Sequence, residues 1–132
     1  MFRYIRFAVI TIFVTMAVVA QAKDNDANGQ KYQDVISVKV QARGDNRFDF
    51  DATIASPYDT PQRYADAFRV INKDGMTYGV RKLFHDHAGE QPFTRDPYGV
   101  DIPAGIQSVT IQAGDQKYGY GGKTVQVTLP GR

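Results

Sequence analysis

In 132 residues the chain carries 16 basic and 14 acidic side chains, two histidines and no cysteine. Without Cys there is no disulfide scaffold, no thiol nucleophile, no Fe–S cluster and no thiolate zinc site. Residues 1–22 hold Arg3 and Arg6 but no acid, so the remainder is electrically balanced, which removes the basis for a nucleic-acid or anionic-membrane partner.

The first segment reads as a secretory signal peptide. Arg3 and Arg6 precede an apolar run at 7–20, interrupted only by Thr11 and Thr15, and Ala20-Gln21-Ala22 supplies the small residues of a peptidase site. The run is shorter than the roughly 20 apolar residues that span a bilayer. Residue 23 is Lys, so no lipid-anchoring Cys follows the cleavage point. The product is expected to be soluble, periplasmic or secreted, with no membrane attachment after cleavage. Residues 23–34, KDNDANGQKYQD, contain one aromatic and no β-branched side chain, and are expected to form a disordered leader because they offer little to bury.

From residue 35 the period becomes two. Residues 35–41 alternate apolar with polar, Arg43-Gly44-Asp45-Asn46 has turn chemistry, and residues 48–54 alternate again, which predicts a β-hairpin. Phe48, Phe50, Ala52 and Ile54 fall on the apolar parity. Asp49, Asp51 and Thr53 fall on the other, a solvated sheet face. Residues 56–63, with Pro57 and Pro61, read as a loop. Residues 65–71 read as a strand with Phe68 and Val70 inward and Arg69 outward. Asn72-Lys73-Asp74-Gly75 is a hairpin turn that returns the chain as a strand over 76–84. A stretch with Gly89, Pro92, Pro97, Gly99, Pro103 and Gly105 is irregular, with Phe93 and Val100 as single anchors into the core. Residues 108–113 and 123–129 alternate around a glycine-rich loop. About seven short strands, no helical periodicity and frequent turn signals predict an all-β, antiparallel sandwich over 35–132.

The C-terminal part carries a resemblance. Ile102-Pro103-Ala104-Gly105, alternating Val109 and Ile111, Ala113-Gly114-Asp115, a Gly-rich loop and Val125-x-Val127-x-Leu129-Pro130 resemble the last two strands of a fibronectin type III or related immunoglobulin-like domain. The chain is also similar to small exported bacterial proteins of unassigned function. The resemblance implies a single immunoglobulin-like sandwich acting as a binding or structural module, and the fold alone does not fix what it binds.

Four features are candidate sites. His85-Asp86-His87 uses both histidines; in an extended strand their side chains share a face about 7 Å apart, within reach of one Cu or Zn ion. Glu90, Asp96 and Asp115 have the chemistry of further ligands. The alternative is that the imidazoles bond loop carbonyls and organise the irregular stretch. In the loop Gly114 to Gly122, Tyr118 and Tyr120 are freed by glycines to form a recognition surface; equally, the glycines serve a tight hairpin and one tyrosine caps the core. Gly122-Lys123-Thr124 is not a phosphate loop, because Lys117 stands where its first glycine belongs and a strand follows. Tyr58, Tyr64 and Tyr98 add aromatics on loops that could stack a sugar. Arg43-Gly44-Asp45 matches an adhesion tripeptide inside a turn that wants Gly and Asp anyway.

No nucleophile elbow and no carboxylate pair of arguable separation supports catalysis. The sequence therefore reads as an exported, non-enzymatic binding or interaction module for an unknown protein or small molecule. Tyr118, Tyr120, Tyr98 and Tyr58 are its surface candidates, and it needs no cofactor. The alternative is a periplasmic Cu- or Zn-binding protein using His85 and His87.

Overall fold

A computed structural model describes residues 30–132. The expected signal peptide at 1–22 and the leader residues 23–29 lie outside the described residues. Within them the chain is all-β, with no helix, and its strands pair antiparallel.

The first hairpin is longer than the alternation alone marks. β1 (Asp34–Gly44) and β2 (Arg47–Ala55) pair with Val40 opposite Phe50 and Lys39 opposite Asp51. The connecting residues Asp45 and Asn46 both have positive φ, 53° and 62°, as a two-residue hairpin of the type that matches strand twist requires. Asp and Asn tolerate that conformation better than other non-glycine residues. β3 (Ala65–Ile71) and β4 (Thr77–Lys82) form the second hairpin. Its turn is held by Asn72, whose Oδ1 accepts the Asp74 and Met76 N–H groups, while Gly75 takes φ 86°. β4 stops at Lys82, short of the expected end at Phe84. The chain leaves the sheet there, and Leu83 and His87 become buried beyond the strand while Phe84 and His85 stay exposed.

The irregular stretch contains two short strands that the sequence showed only as anchors. β5 (Phe93–Arg95) and β6 (Val100–Asp101) both pair with β2, so Phe93 lies opposite Ile54 and Val100 opposite Phe48. β7 (Ser108–Asp115) pairs with β3 on one side and with β8 (Gly119–Tyr120) and β9 (Val125–Thr128) on the other. Two antiparallel sheets result, one of β1, β2, β5 and β6, the other of β4, β3, β7, β8 and β9.

Both sheets contribute to one core. Phe48, Phe50, Ala52 and Ile54 of β2 join Phe68 and Val70 of β3, Val109, Ile111 and Ala113 of β7, and Phe93, Val100, Ile102 and Leu129. Phe50, Ile54, Phe68, Val70 and Ile111 have no exposed surface, and each fully buried apolar side chain contributes about 1.5–3 kcal/mol of transfer free energy. The inward parity read for 48–54, 68 and 70 is the observed one. The outer parity of β2 carries Asp49, Asp51 and Thr53, partly exposed as expected.

The end of the expected leader is ordered into the fold. Gln33 is completely buried, and the Val35 N–H donates to the Lys123 carbonyl at 2.9 Å, tying β1 to the segment before β9. Asp34 Oδ1 accepts the Lys123 N–H. Composition misses this because the partners of residues 30–34 lie from about 25 to about 90 positions away.

Candidate functional site

The Tyr118 loop is built on one buried carboxylate. Asp115 ends β7 with its side chain wholly enclosed, and its Oδ2 accepts the Lys117 N–H at 2.8 Å and the Tyr118 N–H at 2.9 Å. Arg63 Nε approaches the same carboxylate at 3.3 Å. Burial pushes the Asp115 carboxyl up. The neighbouring Tyr58 hydroxyl, the two backbone N–H donors and Arg63 outweigh that and hold it below the ordinary carboxylate value. An ionised Asp115 thus holds the backbone under Tyr118.

Arg63 is the centre of the cluster. Its Nη2 donates to the carbonyls of Gln30 and Lys31 at 2.9 and 2.6 Å, and its guanidinium lies 4.2 Å from the Tyr58 ring centroid and 4.8 Å from that of Tyr118. Tyr58 lies beneath, 6% exposed, its hydroxyl donating to Gln33 Oε1 at 3.1 Å. Burial beside Asp115 raises its phenol far above the usual value. Tyr118 lies outside, 41% exposed, edge-on to Tyr32 with centroids 6.2 Å apart. Lys117 Nζ and Lys31 Nζ stand 5.2 and 5.9 Å from the Tyr118 ring. Three cations and two tyrosines therefore share one patch, and neither lysine has an ion-pair partner among the described residues.

The four tyrosines of the expected surface do not form one surface. Tyr58 is corrected from a surface residue to a buried one, because the loop at 56–63 folds its ring under Arg63. Tyr120, half-buried, packs under Arg69 at 3.8 Å on the second sheet, its phenol raised mainly by burial. Tyr98 is 56% exposed on the first sheet, where its hydroxyl donates to Asp51 Oδ1 at 3.1 Å beside a shallow groove lined by Lys39, Arg43 and Asp49. The Tyr64 hydroxyl donates to the Phe84 carbonyl. Arg43 of the adhesion-like tripeptide is bound to Asp49 at 2.9 Å, so its guanidinium is engaged within the sheet. Sequence reading missed Lys31, Tyr32 and Arg63. The one usable signal was Tyr32, a lone aromatic in an otherwise polar leader.

The histidines follow the end of β4 rather than continuing it, so strand parity does not relate them. Their rings nevertheless meet, with centroids 5.0 Å apart and planes tilted by 37°. His87 is buried and stacks on Phe93 at 4.0 Å; its N–H donates to Asp59 Oδ2 at 3.0 Å, and its carbonyl accepts from Glu90 N–H and Gln91 Nε2. These bonds organise the irregular stretch through the His87 backbone and not its imidazole; of the two rings only that of His85 reaches a loop carbonyl, with Nδ1 2.9 Å from the Asp86 oxygen. His87 Nδ1 is enclosed with no hydrogen-bond partner, 3.9 Å from Asp59 Oδ2. Burial, reinforced by Arg95 and His85, lowers the His87 imidazole, and burial raises the Asp59 carboxyl despite the N–H groups of His87 and Ala65 that it accepts. Of the other ligand candidates, Glu90 pairs with Arg95 at 3.0 Å, Asp96 pairs with Arg81 at 3.5 Å, and Asp115 belongs to the tyrosine cluster. Among the described residues no three His, Asp or Glu side chains are already grouped to hold a metal.

Comparison of the chain with protein-family models, with curated proteins and with solved structures finds no match.

Proposed function

We propose that this is an exported, periplasmic or secreted, non-enzymatic binding module with an immunoglobulin-like sandwich fold, whose recognition surface is the patch of Tyr118, Tyr32, Lys31, Lys117 and Arg63. The observation that carries the reading is the hydrogen-bonded support beneath an exposed tyrosine ringed by cations. Tyrosine supplies contact area with little rotamer entropy to lose, and a backbone already held by Asp115 lowers the ordering cost of binding. Cations clustered in an otherwise balanced chain select an acidic partner and steer its approach.

The test is retention of cell-envelope components by the immobilised protein. A partner held by wild type at low salt is expected to be lost by Tyr118→Ala and by the double change Lys31→Glu with Lys117→Glu, and weakened at about 1 M salt, where screening acts over roughly 3 Å. Retention indifferent to both variants would overturn this surface.

A further inference from the structure

We propose that His85 and His87 bind one divalent transition ion, Zn(II) or Cu(II), through their Nε2 atoms, with Glu90 recruited as a third ligand. This site stands apart from the Tyr118 patch and does not depend on it.

The His85 ring is oriented as a ligand is. His85 Nδ1 lies 2.9 Å from the Asp86 carbonyl oxygen, an acceptor that places the proton on Nδ1 and leaves Nε2 with its lone pair. His87 Nδ1 lies 3.9 Å from the buried Asp59 carboxylate, with no hydrogen bond between them, and the stack on Phe93 sets the plane of the ring. A carbonyl or carboxylate behind Nδ1 is the usual support of a metal-bound imidazole. Among the described residues the one ring hydrogen bond of the pair is that at His85 Nδ1. The structural role of His87 uses its backbone and its ring face, so both Nε2 atoms remain unassigned.

The spacing also fits. Two imidazoles bound at about 2.0–2.1 Å to one tetrahedral ion have centroids roughly 5 Å apart, and these stand at 5.0 Å. The Glu90 side chain is 57% exposed in its bridge to Arg95. Release from that bridge would exchange one cationic partner for another. Two nitrogens and one oxygen with open positions suit Zn(II) or Cu(II) rather than the hard ions Mg(II) or Ca(II).

Isothermal titration with zinc chloride and with copper sulfate tests this on the exported protein. Expected are saturable one-to-one binding, a rise in Tm of several degrees with metal, and two-nitrogen hyperfine structure in the Cu(II) spectrum. His85→Ala, at an exposed position that leaves the fold intact by circular dichroism, is expected to lose most of the affinity. Glu90→Gln is expected to lose about tenfold or more, and Asp59→Asn about 10–100-fold, as loss of support behind a ligand does. Absence of saturable binding, or His85→Ala binding like wild type, would overturn the site. Unchanged affinity in Glu90→Gln would overturn the third ligand, and Mg(II) binding as tightly would overturn the ligand chemistry.

Discussion

Replacing Gly122 by Ala separates two costs that usually arrive together. Gly122 and Gly119 have nearly the same left-handed backbone, φ 77° and 76°, so alanine at either position carries the same conformational penalty, about 1–2 kcal/mol. Their surroundings differ. A Cβ on Gly119 meets nothing within 4 Å, whereas one on Gly122 runs into the backbone carbonyl of Gln33. Since the obstacle is main chain, residues 32–34 must move. Three hydrogen bonds of its side chains tie the displaced segment to distant residues, from the Tyr58 hydroxyl to Gln33, from Gln33 to the Gly121 carbonyl, and from the Lys123 N–H to Asp34. At about 0.5–1.5 kcal/mol each, their loss adds roughly 1.5–4.5 kcal/mol. Gly122→Ala is therefore expected to cost about 3–6 kcal/mol and Gly119→Ala about 1–2 kcal/mol. Urea unfolding reads the difference. With a slope of about 1–3 kcal/mol per molar, the two midpoints should differ by about 0.5 M or more. Equal midpoints would refute the claim that residues 30–34 are packed beneath this loop, and with it the position of Lys31 and Tyr32 beside Tyr118.

Phe50→Ala removes a completely buried ring and should cost about 3–5 kcal/mol; Thr53→Ala, which loses only an exposed hydroxyl bond to Thr94, should cost about 1 kcal/mol or less, and similar urea midpoints would mean the β2 register is shifted by one residue. His87 has its imidazole lowered from 6.5 by burial, so below that pH the unfolded chain takes up a proton that the folded chain resists, and stability falls. His87→Gln, measured with chelator present, should flatten that loss as the pH falls below 6.5; an identical pH dependence in wild type and variant would refute the buried, neutral assignment. Intact mass of the exported protein should correspond to a chain beginning at Lys23, and a membrane-retained product still carrying residues 1–22 would refute export by cleavage.

Alternation of side chains is a local property, and what depends on it alone was legible in the sequence. Phe48, Phe50, Ala52 and Ile54 could be assigned inward because the period of a strand is two whatever strand lies beside it. The turns at Asp45-Asn46 and Asn72–Gly75 were likewise legible, since φ preference and short side-chain acceptors act within a few residues. Pairing partners are not local. Phe93 and Val100 read as isolated anchors because each of their strands exists only by bonding to β2, about forty to fifty positions earlier in the chain. The candidate site follows the same division. Tyr118 and the histidine pair were visible as residue types, but Arg63 between two tyrosines, Gln33 beneath them and Asp59 behind His87 come from segments whose composition says loop or leader. Only tertiary packing decides those neighbours, because burying a carboxylate, an amide or an imidazole is tolerated where distant backbone donors and rings converge on it, and a linear sequence does not encode that convergence in any short window.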